Sequence, residues 1–137
     1  PVVASAGLGL TGGLQLFGPA ALCELSLTDP GLVEAYLEVE DRLTLAHTEL
    51  ALDLGADILR RNGFYETTDF FSPEQLERFL GRRLSAQIAM VHQAGRVIGY
   101  TALSGLVPMV GNLARLDFDC LVTPDFFFKG KIGEHTS

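Results

Sequence analysis

One arrangement recurs three times along the chain: a helical pattern, a glycine or turn, and then a short apolar stretch typical of a strand. Gly55 and Gly95 close the two longest helical patterns. Strands that alternate with helices of this length pair in parallel through right-handed crossovers. The sequence therefore predicts an α/β protein with about four parallel strands and flanking helices, the strands lying near residues 2–6, 56–60, 96–101 and 118–122.

Two helix starts carry capping signals. Asp29 is a predicted N-cap with Pro30 at the first helical position, and Ser72 with Gln75 matches the S-x-x-Q capping box. The first helix should bury an apolar row formed by Leu32, Tyr36, Val39, Leu43, Ala46, Leu50 and Leu54. The second should bury Leu76, Leu80, Leu84, Ile88 and Val91. A third, shorter helix is predicted over residues 106–116.

The length of the chain limits how much of each possible architecture it can form. Alternating strands and helices fit either an open doubly wound sheet or part of a TIM (β/α)8 barrel. A complete barrel needs about 250 residues, and this chain has 137, so half a barrel is the most it can hold. We interpret residues 1–124 as a partial TIM-barrel domain and residues 125–137 as an irregular tail. We expect the chain to be a fragment of a longer protein.

Composition excludes several functional classes. The chain has 10 Lys and Arg against 17 Asp and Glu, a net charge of −7, and no basic stripe that could neutralise a nucleic-acid backbone. No apolar run approaches the roughly 20 residues that cross a bilayer, so we expect a soluble, cytoplasmic protein. Cys23 and Cys120 are expected to be reduced thiols. Because a half-barrel exposes an apolar sheet edge, we also expect a homo-oligomer or pairing with a missing barrel half.

A glycine-rich motif follows the first predicted strand. Residues 7–12 read GLGLTG and match G-x-G-x-x-G, the pattern of dinucleotide-binding loops. Two interpretations stay open: a phosphate-binding loop, or a flexible strand-to-helix loop at the rim of an active site. The next predicted strand begins only near residue 56, which is farther than a dinucleotide-binding unit allows. A nucleotide-cofactor enzyme is therefore the weaker hypothesis.

Three loops follow the carboxyl ends of predicted strands, at residues 60–69, 100–105 and 123–125. In α/β proteins such loops carry the chemistry, so we predict that they converge on one rim. Arg60 or Arg61 would bind a substrate carboxylate by bidentate pairing, with Thr101 also lining the substrate site.

The catalytic residues predicted at this rim are Tyr65, Glu66 and Tyr100. Glu66 is the carboxylate near enough in sequence to serve as acid or base, and either tyrosine could donate a hydrogen bond to a developing negative charge. The alternative is structural: Arg60 pairs with Glu66 or Asp69 on the surface, and Tyr100 fills the barrel interior.

Other familiar catalytic patterns are missing from the sequence. No histidine shares metal-ligand spacing with a cysteine or a carboxylate, and His92 suits a helix C-terminus. No G-x-S-x-G motif occurs. We therefore predict neither a metal nor a cofactor.

Five short motifs together resemble the uroporphyrinogen decarboxylase superfamily: GAD at 55–57, FSPE at 71–74, HQAG at 92–95, SG at 104–105 and FDCL at 118–121. The resemblance covers roughly residues 1–124 and implies a TIM barrel. Members of the family decarboxylate uroporphyrinogen or move methyl groups between corrinoid proteins and thiols. Where the methyltransferase members carry zinc-binding His and Cys, this chain has Thr101 and Leu103, which departs from zinc-dependent thiol activation.

The resemblance implies that the parent protein is a carbon–carbon lyase or a methyltransferase. Its substrate would be a carboxylated tetrapyrrole or a corrinoid-linked group, and the chain alone is expected to be inactive. The alternative is a non-catalytic ligand-binding or assembly protein on the same barrel.

Overall fold

Four parallel strands and a layer of helices form the structure, a computed structural model that describes residues 1–102, 113 and 115–122. The strands are β1 (Val3–Ser5), β2 (Ile58–Phe64), β3 (Val97–Ala102) and β4 (Cys120–Val122). The helices are α1 (Gly9–Phe17), α2 (Pro19–Thr28), α3 (Pro30–Asp53), α4 (Pro73–Leu76) and α5 (Arg82–Gln93), with a π-helical turn at Glu77–Gly81 between the last two. Among the described residues, no helix is long and apolar enough to cross a membrane.

Strand order identifies the architecture. The sheet runs β1-β2-β3-β4, and every neighbouring pair is parallel. A doubly wound sheet reverses its strand order at a switch point, whereas a barrel adds each strand beside the one before it. The sequential order confirms the prediction of an α/β fold that forms part of a TIM barrel.

The capping signals set the helix boundaries as predicted. Ser72 Oγ accepts a hydrogen bond from Gln75 N at 3.2 Å, and Ser72 N donates to Gln75 Oε1 at 2.9 Å, so the capping box is complete. Asp29 accepts from Leu32 N at 3.3 Å at the start of α3. The predicted helix over residues 106–116 lies outside the described residues except at 113, 115 and 116.

The buried face of α3 differs from the prediction. The residues that turn inward are Val33, Leu37, Thr44 and Thr48, whereas Leu43, Leu50 and the other leucines of the predicted row are exposed. Thr48 can be buried because its hydroxyl donates to the Thr44 carbonyl one turn earlier, at 2.7 Å. Sequence reasoning favours the more apolar row, but α3 packs on α1, α2 and α5 through the row with smaller side chains.

Two boundaries near the strand ends also differ. The sequence predicts the second strand over 56–60, but β2 continues to Phe64, so Arg60 and Arg61 belong to a strand and not to a loop. The predicted glycine-rich loop is short, because α1 already begins at Gly9. As a result, Arg60 and Arg61 lie on a strand, and Gly9 lies at the start of a helix.

The two faces of the sheet have different surroundings. Leu59, Ile98 and Ala6 pack under α5 in one apolar cluster, and Tyr100 joins a second cluster with residues of α1 to α5. Because side chains alternate along a strand, the opposite face carries the intervening residues. We call it the open face and define it by Val3, Ser5, Arg60, Asn62, Val97, Thr101, Cys120 and Val122. Exposure of Val3, Arg60, Val97 and Val122 shows that helices do not cover these positions.

Candidate functional site

A buried polar cluster lies at the carboxyl ends of β2 and β3. Arg61 Nη1 is 2.9 Å from Glu66 Oε1, and Arg61 Nη2 donates to Glu66 Oε2 at 3.1 Å, so the two side chains form a bidentate pair. Tyr100 Oη donates to Glu66 Oε1 at 3.0 Å. Arg61, Glu66 and Tyr100 are only 4%, 0% and 1% exposed.

Sheet register explains why these three side chains meet. Arg61 and Tyr100 are directly paired on β2 and β3, so both point to the helix-covered face. Glu66 comes back over the strand end through a turn in which its N–H donates to the Gly63 carbonyl at 2.7 Å. Gly63 must lack a side chain, since a Cβ there would lie 2.2 Å from the Tyr100 ring.

Burial dominates the electrostatics of this cluster. Burial raises the pKa of the Glu66 carboxyl, and the Arg61 charge and the hydrogen bonds from Arg61, Leu10 and Tyr100 partly oppose that rise. Burial and then the Glu66 charge raise the pKa of Tyr100 well above its usual value. Tyr100 therefore stays a protonated hydrogen-bond donor throughout the physiological range.

Two carboxylates bind the N-terminus of α1. Leu8 N and Gly9 N donate to Glu40 Oε1 at 2.9 and 3.0 Å, and Leu10 N donates to Glu66 Oε2 at 2.7 Å. Burial would raise the pKa of Glu40, but the hydrogen bonds from Leu8, Gly9 and Thr44 and the nearby Arg61 charge together outweigh it, so this pKa is lowered. The helix N-terminus thus binds anions of the chain itself.

This arrangement assigns a structural role to the glycine-rich motif. Gly9 has a φ of +50°, and a Cβ on it would lie 2.1 Å from Glu66 Oε2 and 2.2 Å from Arg61 Nη2. The amides of residues 8–10, which a dinucleotide phosphate would need, donate to Glu40 and Glu66 instead. The motif therefore lets the start of α1 pack closely against Glu66 and Arg61, and it does not form a phosphate-binding loop.

Glu40 is the member of this region that sequence reasoning missed. It follows Leu37 and precedes Thr44 on the inward row of α3, and Thr44 Oγ1 donates to Glu40 Oε2 at 2.8 Å. A carboxylate at the spacing of a buried row is the signal that could have found it. The sequence prediction buries the leucine row instead. Glu40 then lies outside the predicted buried face and goes unnoticed.

The structure separates the six predicted site residues. Arg61, Glu66 and Tyr100 lie together on the helix-covered face, whereas Arg60 and Thr101 point to the open face. Tyr65 is exposed, with its ring edge-on to Phe70 at 6.0 Å between centroids. They do not surround one mouth as predicted, because β2 extends through residues 60 and 61 and sends their side chains to opposite faces. Their proposed roles stay predictions.

The structural alternative for these residues also needs correction. The arginine that pairs with Glu66 is Arg61 and not Arg60, and the pair is buried and not on the surface. Tyr100 packs toward the helices and so does not fill the barrel interior. The bidentate pairing predicted between an arginine and a substrate carboxylate is made by Arg61 with Glu66 itself.

The open face presents a second polar group at the same end of the sheet. Asn62 and Thr101 are directly paired on β2 and β3, and Asn62 Oδ1 and Thr101 Oγ1 are both buried without a hydrogen-bond partner. Thr101 is 6% exposed. Arg60, two residues before Asn62, places an exposed guanidinium on the same face. We call Arg60, Asn62 and Thr101 the open-face patch.

No metal centre is formed by the described residues. No group of three or more His, Cys, Asp or Glu side chains comes close enough to hold an ion there. Cys23 is half-buried and Cys120 is exposed, both as free thiols. Leu103, one of the two positions compared with zinc ligands, lies outside the described residues.

Comparison with known proteins gives a match in structure alone. No protein-family model and no curated protein matches the chain. The fold is similar to that of a methyltransferase from Methanosarcina mazei, with a TM-score of 0.75 and 19% sequence identity. The match covers 88% of this chain and 35% of the methyltransferase. The chain thus shares its fold with part of a larger enzyme, and at this identity the likeness extends to the fold alone.

Proposed function

We propose that the chain is part of a barrel enzyme of the uroporphyrinogen decarboxylase type, either a carbon–carbon lyase or a methyltransferase. Its substrate would be a carboxylated tetrapyrrole or a corrinoid-linked group. The structural likeness to a methyltransferase supports this assignment at the level of fold. The observation that carries it is the open-face patch, which puts two unpartnered polar atoms in the carboxyl-terminal halves of β2 and β3, with the Arg60 guanidinium two residues earlier on β2.

The chemistry of this patch suits a carboxylated ligand. A guanidinium binds a carboxylate through two parallel N–H donors, and Arg60 is exposed and so available for such a contact. The Thr101 hydroxyl can donate a hydrogen bond to an anionic oxygen, and Asn62 can turn its amide to donate or accept one. Both Asn62 Oδ1 and Thr101 Oγ1 are buried, so a ligand would reach them only if this end of the sheet opened. Because a buried polar atom without a partner costs free energy, a ligand that bonded them would relieve that cost.

The buried cluster supports the same region from the other side of the sheet. Glu66 contacts Arg61 of β2, Tyr100 of β3 and Leu10 of α1, so one carboxylate ties together three elements beside the patch. The predicted acid or base role of Glu66 requires substrate to reach a fully buried group. Its burial favours the second candidate, a non-catalytic ligand-binding protein on the same barrel.

A titration with uroporphyrin, cobalamin and NADH tests the proposal. The chain contains no tryptophan, so we would follow the absorbance of each ligand and the melting temperature of the protein. We expect uroporphyrin or cobalamin to bind, and Arg60→Gln to weaken binding at least tenfold. Arg82→Gln is the matched control, because Arg82 is an exposed arginine on α5, away from the open face.

Three results would overturn the proposal: no binding of either macrocycle, equal loss in the Arg60 and Arg82 variants, or preferential binding of NADH. Incubation of the larger protein with uroporphyrinogen then separates the two candidates, because the chain alone is expected to be inactive. Loss of carboxyl groups, measured by mass spectrometry, supports the lyase. Binding with neither loss of carboxyl groups nor transfer of a methyl group supports the non-catalytic alternative.

A further inference from the structure

A small polar cavity lies inside the layer of helices, between α3 and α5. Its lining comes from α1, α3, β2, the π-helical turn and α5, all of which belong to this chain. A larger barrel would add strands and helices beyond β1 and β4, so it would leave this space as it is. The polar side chains of the lining are Glu40, Asp41, Thr44, Arg61, Arg83 and Gln87.

Arg83 brings to this cavity a buried hydrogen-bond donor that has no partner. The arginine side chain is 8% exposed. Its Nη1 donates to the Phe79 carbonyl at 2.9 Å and its Nη2 pairs with Glu38, whereas Nε has no hydrogen-bond partner among the described residues. An unpaired donor on a charged group is more costly to bury than one on a neutral group. Arg83 Nε therefore has a hydrogen bond to gain.

Asp41 supplies a complementary acceptor. It is half-buried and lines the same cavity, but Arg83 forms its ion pair with Glu38 and not with Asp41. Burial raises the pKa of the Asp41 carboxyl, and the Arg83 charge only partly opposes that rise. The carboxylate is thus near enough to interact with the guanidinium through space, although the two groups form no direct bond.

Size and charge determine what can lie between these two groups. The space open to the centre of a water-sized molecule is about 10 Å³, which is roughly what one water molecule requires. The charged groups of the lining are balanced in sign, since Glu40 and Asp41 accompany Arg61 and Arg83. An ion of either sign would leave an uncompensated buried charge, whereas a neutral molecule that both donates and accepts hydrogen bonds would not.

We propose that this cavity binds a single water molecule, which accepts a hydrogen bond from Arg83 Nε and donates one to the Asp41 carboxylate. Internal waters are held where two to four polar groups surround a space of this size. Glu40 Oε2 offers a further acceptor, because it accepts from Thr44 Oγ1 at 2.8 Å and has a second lone pair. The water joins α5 to α3 at a position where Arg83 and Asp41 do not bond directly.

The proposal is independent of the proposed function. The cavity lies on the helix-covered side of the sheet, and the argument for water uses neither the open-face patch nor any substrate. Failure of the macrocycle titration would therefore leave the water site in place, and loss of the water site would leave the open-face patch unchanged.

Nuclear magnetic resonance of the isotope-labelled chain tests the site, because arginine Nε–H groups give their own signals. Dipolar transfer from a long-lived water has opposite signs in the laboratory and rotating frames, whereas proton exchange with solvent has the same sign in both. We expect dipolar transfer at Arg83 Nε and exchange alone at Arg82 Nε. Arg82 is the matched control, since its side chain is 80% exposed on the same helix. Exchange alone at both arginines would overturn the proposal.

A substitution at the acceptor tests which groups hold the water. Asp41→Leu removes the carboxylate and fills the space with an apolar side chain, so the dipolar transfer at Arg83 Nε should be lost. Asp53→Leu should retain it, because Asp53 is an exposed aspartate at the end of α3. Circular dichroism of each variant establishes that the fold is retained. Transfer that survives Asp41→Leu, or that is lost equally in both variants, would contradict the assignment.

A high-resolution crystal structure of the chain gives a second and independent measurement. We expect one peak of electron density, with the scattering of water, at about 3 Å from Arg83 Nε. Direct contact between Arg83 and Asp41, a cavity without density, or a peak with the anomalous signal of an ion would each overturn the proposal.

Discussion

Arg60 and Arg61 are adjacent in sequence and lie in opposite environments. Arg61 points under the helices, where Glu66 neutralises it and its side chain is 4% exposed. Arg60 points to the open face and is exposed. The difference follows from the two-residue period of a strand, and it shows which charge maintains the structure and which can bind a ligand.

The two faces also differ in how their polar atoms are satisfied near the strand ends. On the helix-covered face, both Glu66 oxygens accept hydrogen bonds from the guanidinium, the Leu10 amide or the Tyr100 hydroxyl. On the open face, Asn62 Oδ1 and Thr101 Oγ1 have no partner. Fully bonded polar groups hold a structure in place, whereas buried groups without a partner, which elsewhere include Thr67 Oγ1 and Arg83 Nε, still have a hydrogen bond to gain. This contrast underlies our choice of the open face for the proposed site.

The largest effect is expected from removing the buried guanidinium. Arg61→Gln leaves the Glu66 carboxylate buried without a counter-charge, so we expect unfolding free energy to fall by about 4 kcal/mol. Arg60→Gln should change it by less than about 0.5 kcal/mol. Urea unfolding followed by circular dichroism measures both. The double variant Arg61→Gln, Glu66→Gln should be more stable than Arg61→Gln alone, and equal losses for the two arginines would remove the proposed distinction between the faces.

Gly9→Ala tests the closeness of α1 to the cluster. The new methyl group would meet the Glu66 carboxylate at 2.1 Å, at a φ of +50°, so we expect a loss of about 3 kcal/mol. Gly55→Ala is the control, because Gly55 also has a positive φ but a Cβ on it would have no atom within 4 Å. Backbone strain alone should cost about 1 kcal/mol there. Similar losses at both positions would show that contact with Glu66 adds nothing.

Tyr100→Phe sharpens the account of the buried cluster. It removes the hydroxyl that donates to Glu66 Oε1, so we expect a loss of about 2 kcal/mol, the usual contribution of a buried hydrogen bond to a charged group. Tyr65→Phe removes the hydroxyl of an exposed ring and should have little effect. Thermal unfolding at pH 7 compares the two. If Tyr65→Phe lowers the stability as much as Tyr100→Phe does, the hydrogen bond from Tyr100 to Glu66 does not account for the loss.

The fold is largely predictable from local signals. The capping box at Ser72 and the N-cap at Asp29 act within a few residues, so the sequence contains all that is needed to place these helix starts. The parallel pairing of the strands follows from the alternation of strands and helices, whereas their sequential order is seen only in the structure. The length of β2 does not follow from local signals. The strand continues past Arg60 and Arg61, and two consecutive arginines are typical of a loop unless the buried partner of Arg61, Glu66, is known.

The site is predictable in part, because its residue types are visible in the sequence but the contacts between them are not. Arg61, Glu66 and Tyr100 stand out as important residue types after strand ends, but their mutual contacts depend on the register between β2 and β3. Glu40 cannot be found from a pattern that buries the leucine row of α3. Long-range pairing decides which polar residues meet, and a single sequence specifies that pairing only weakly.

The smallest expected effect is the pH dependence that Glu40 contributes. The Leu8 and Gly9 amides hold the pKa of Glu40 below its usual value of 4.5 in the folded protein. A lowered folded pKa means that the carboxylate stabilises the fold above pH 4.5, and that this stability is lost as the pH falls through the folded pKa.

Glu40→Gln should therefore reduce stability at pH 7 by about 1 kcal/mol, the usual contribution of a carboxylate at a helix N-terminus. The same variant should flatten the dependence of unfolding free energy on pH as the pH falls below 4.5. Glu24→Gln, an exposed glutamate on α2, is the control and should retain the wild-type slope. Urea titrations at several pH values measure both slopes. If the Glu40 variant keeps the wild-type slope, the carboxylate does not hold the start of α1, and the first loop would be fixed by Glu66 alone.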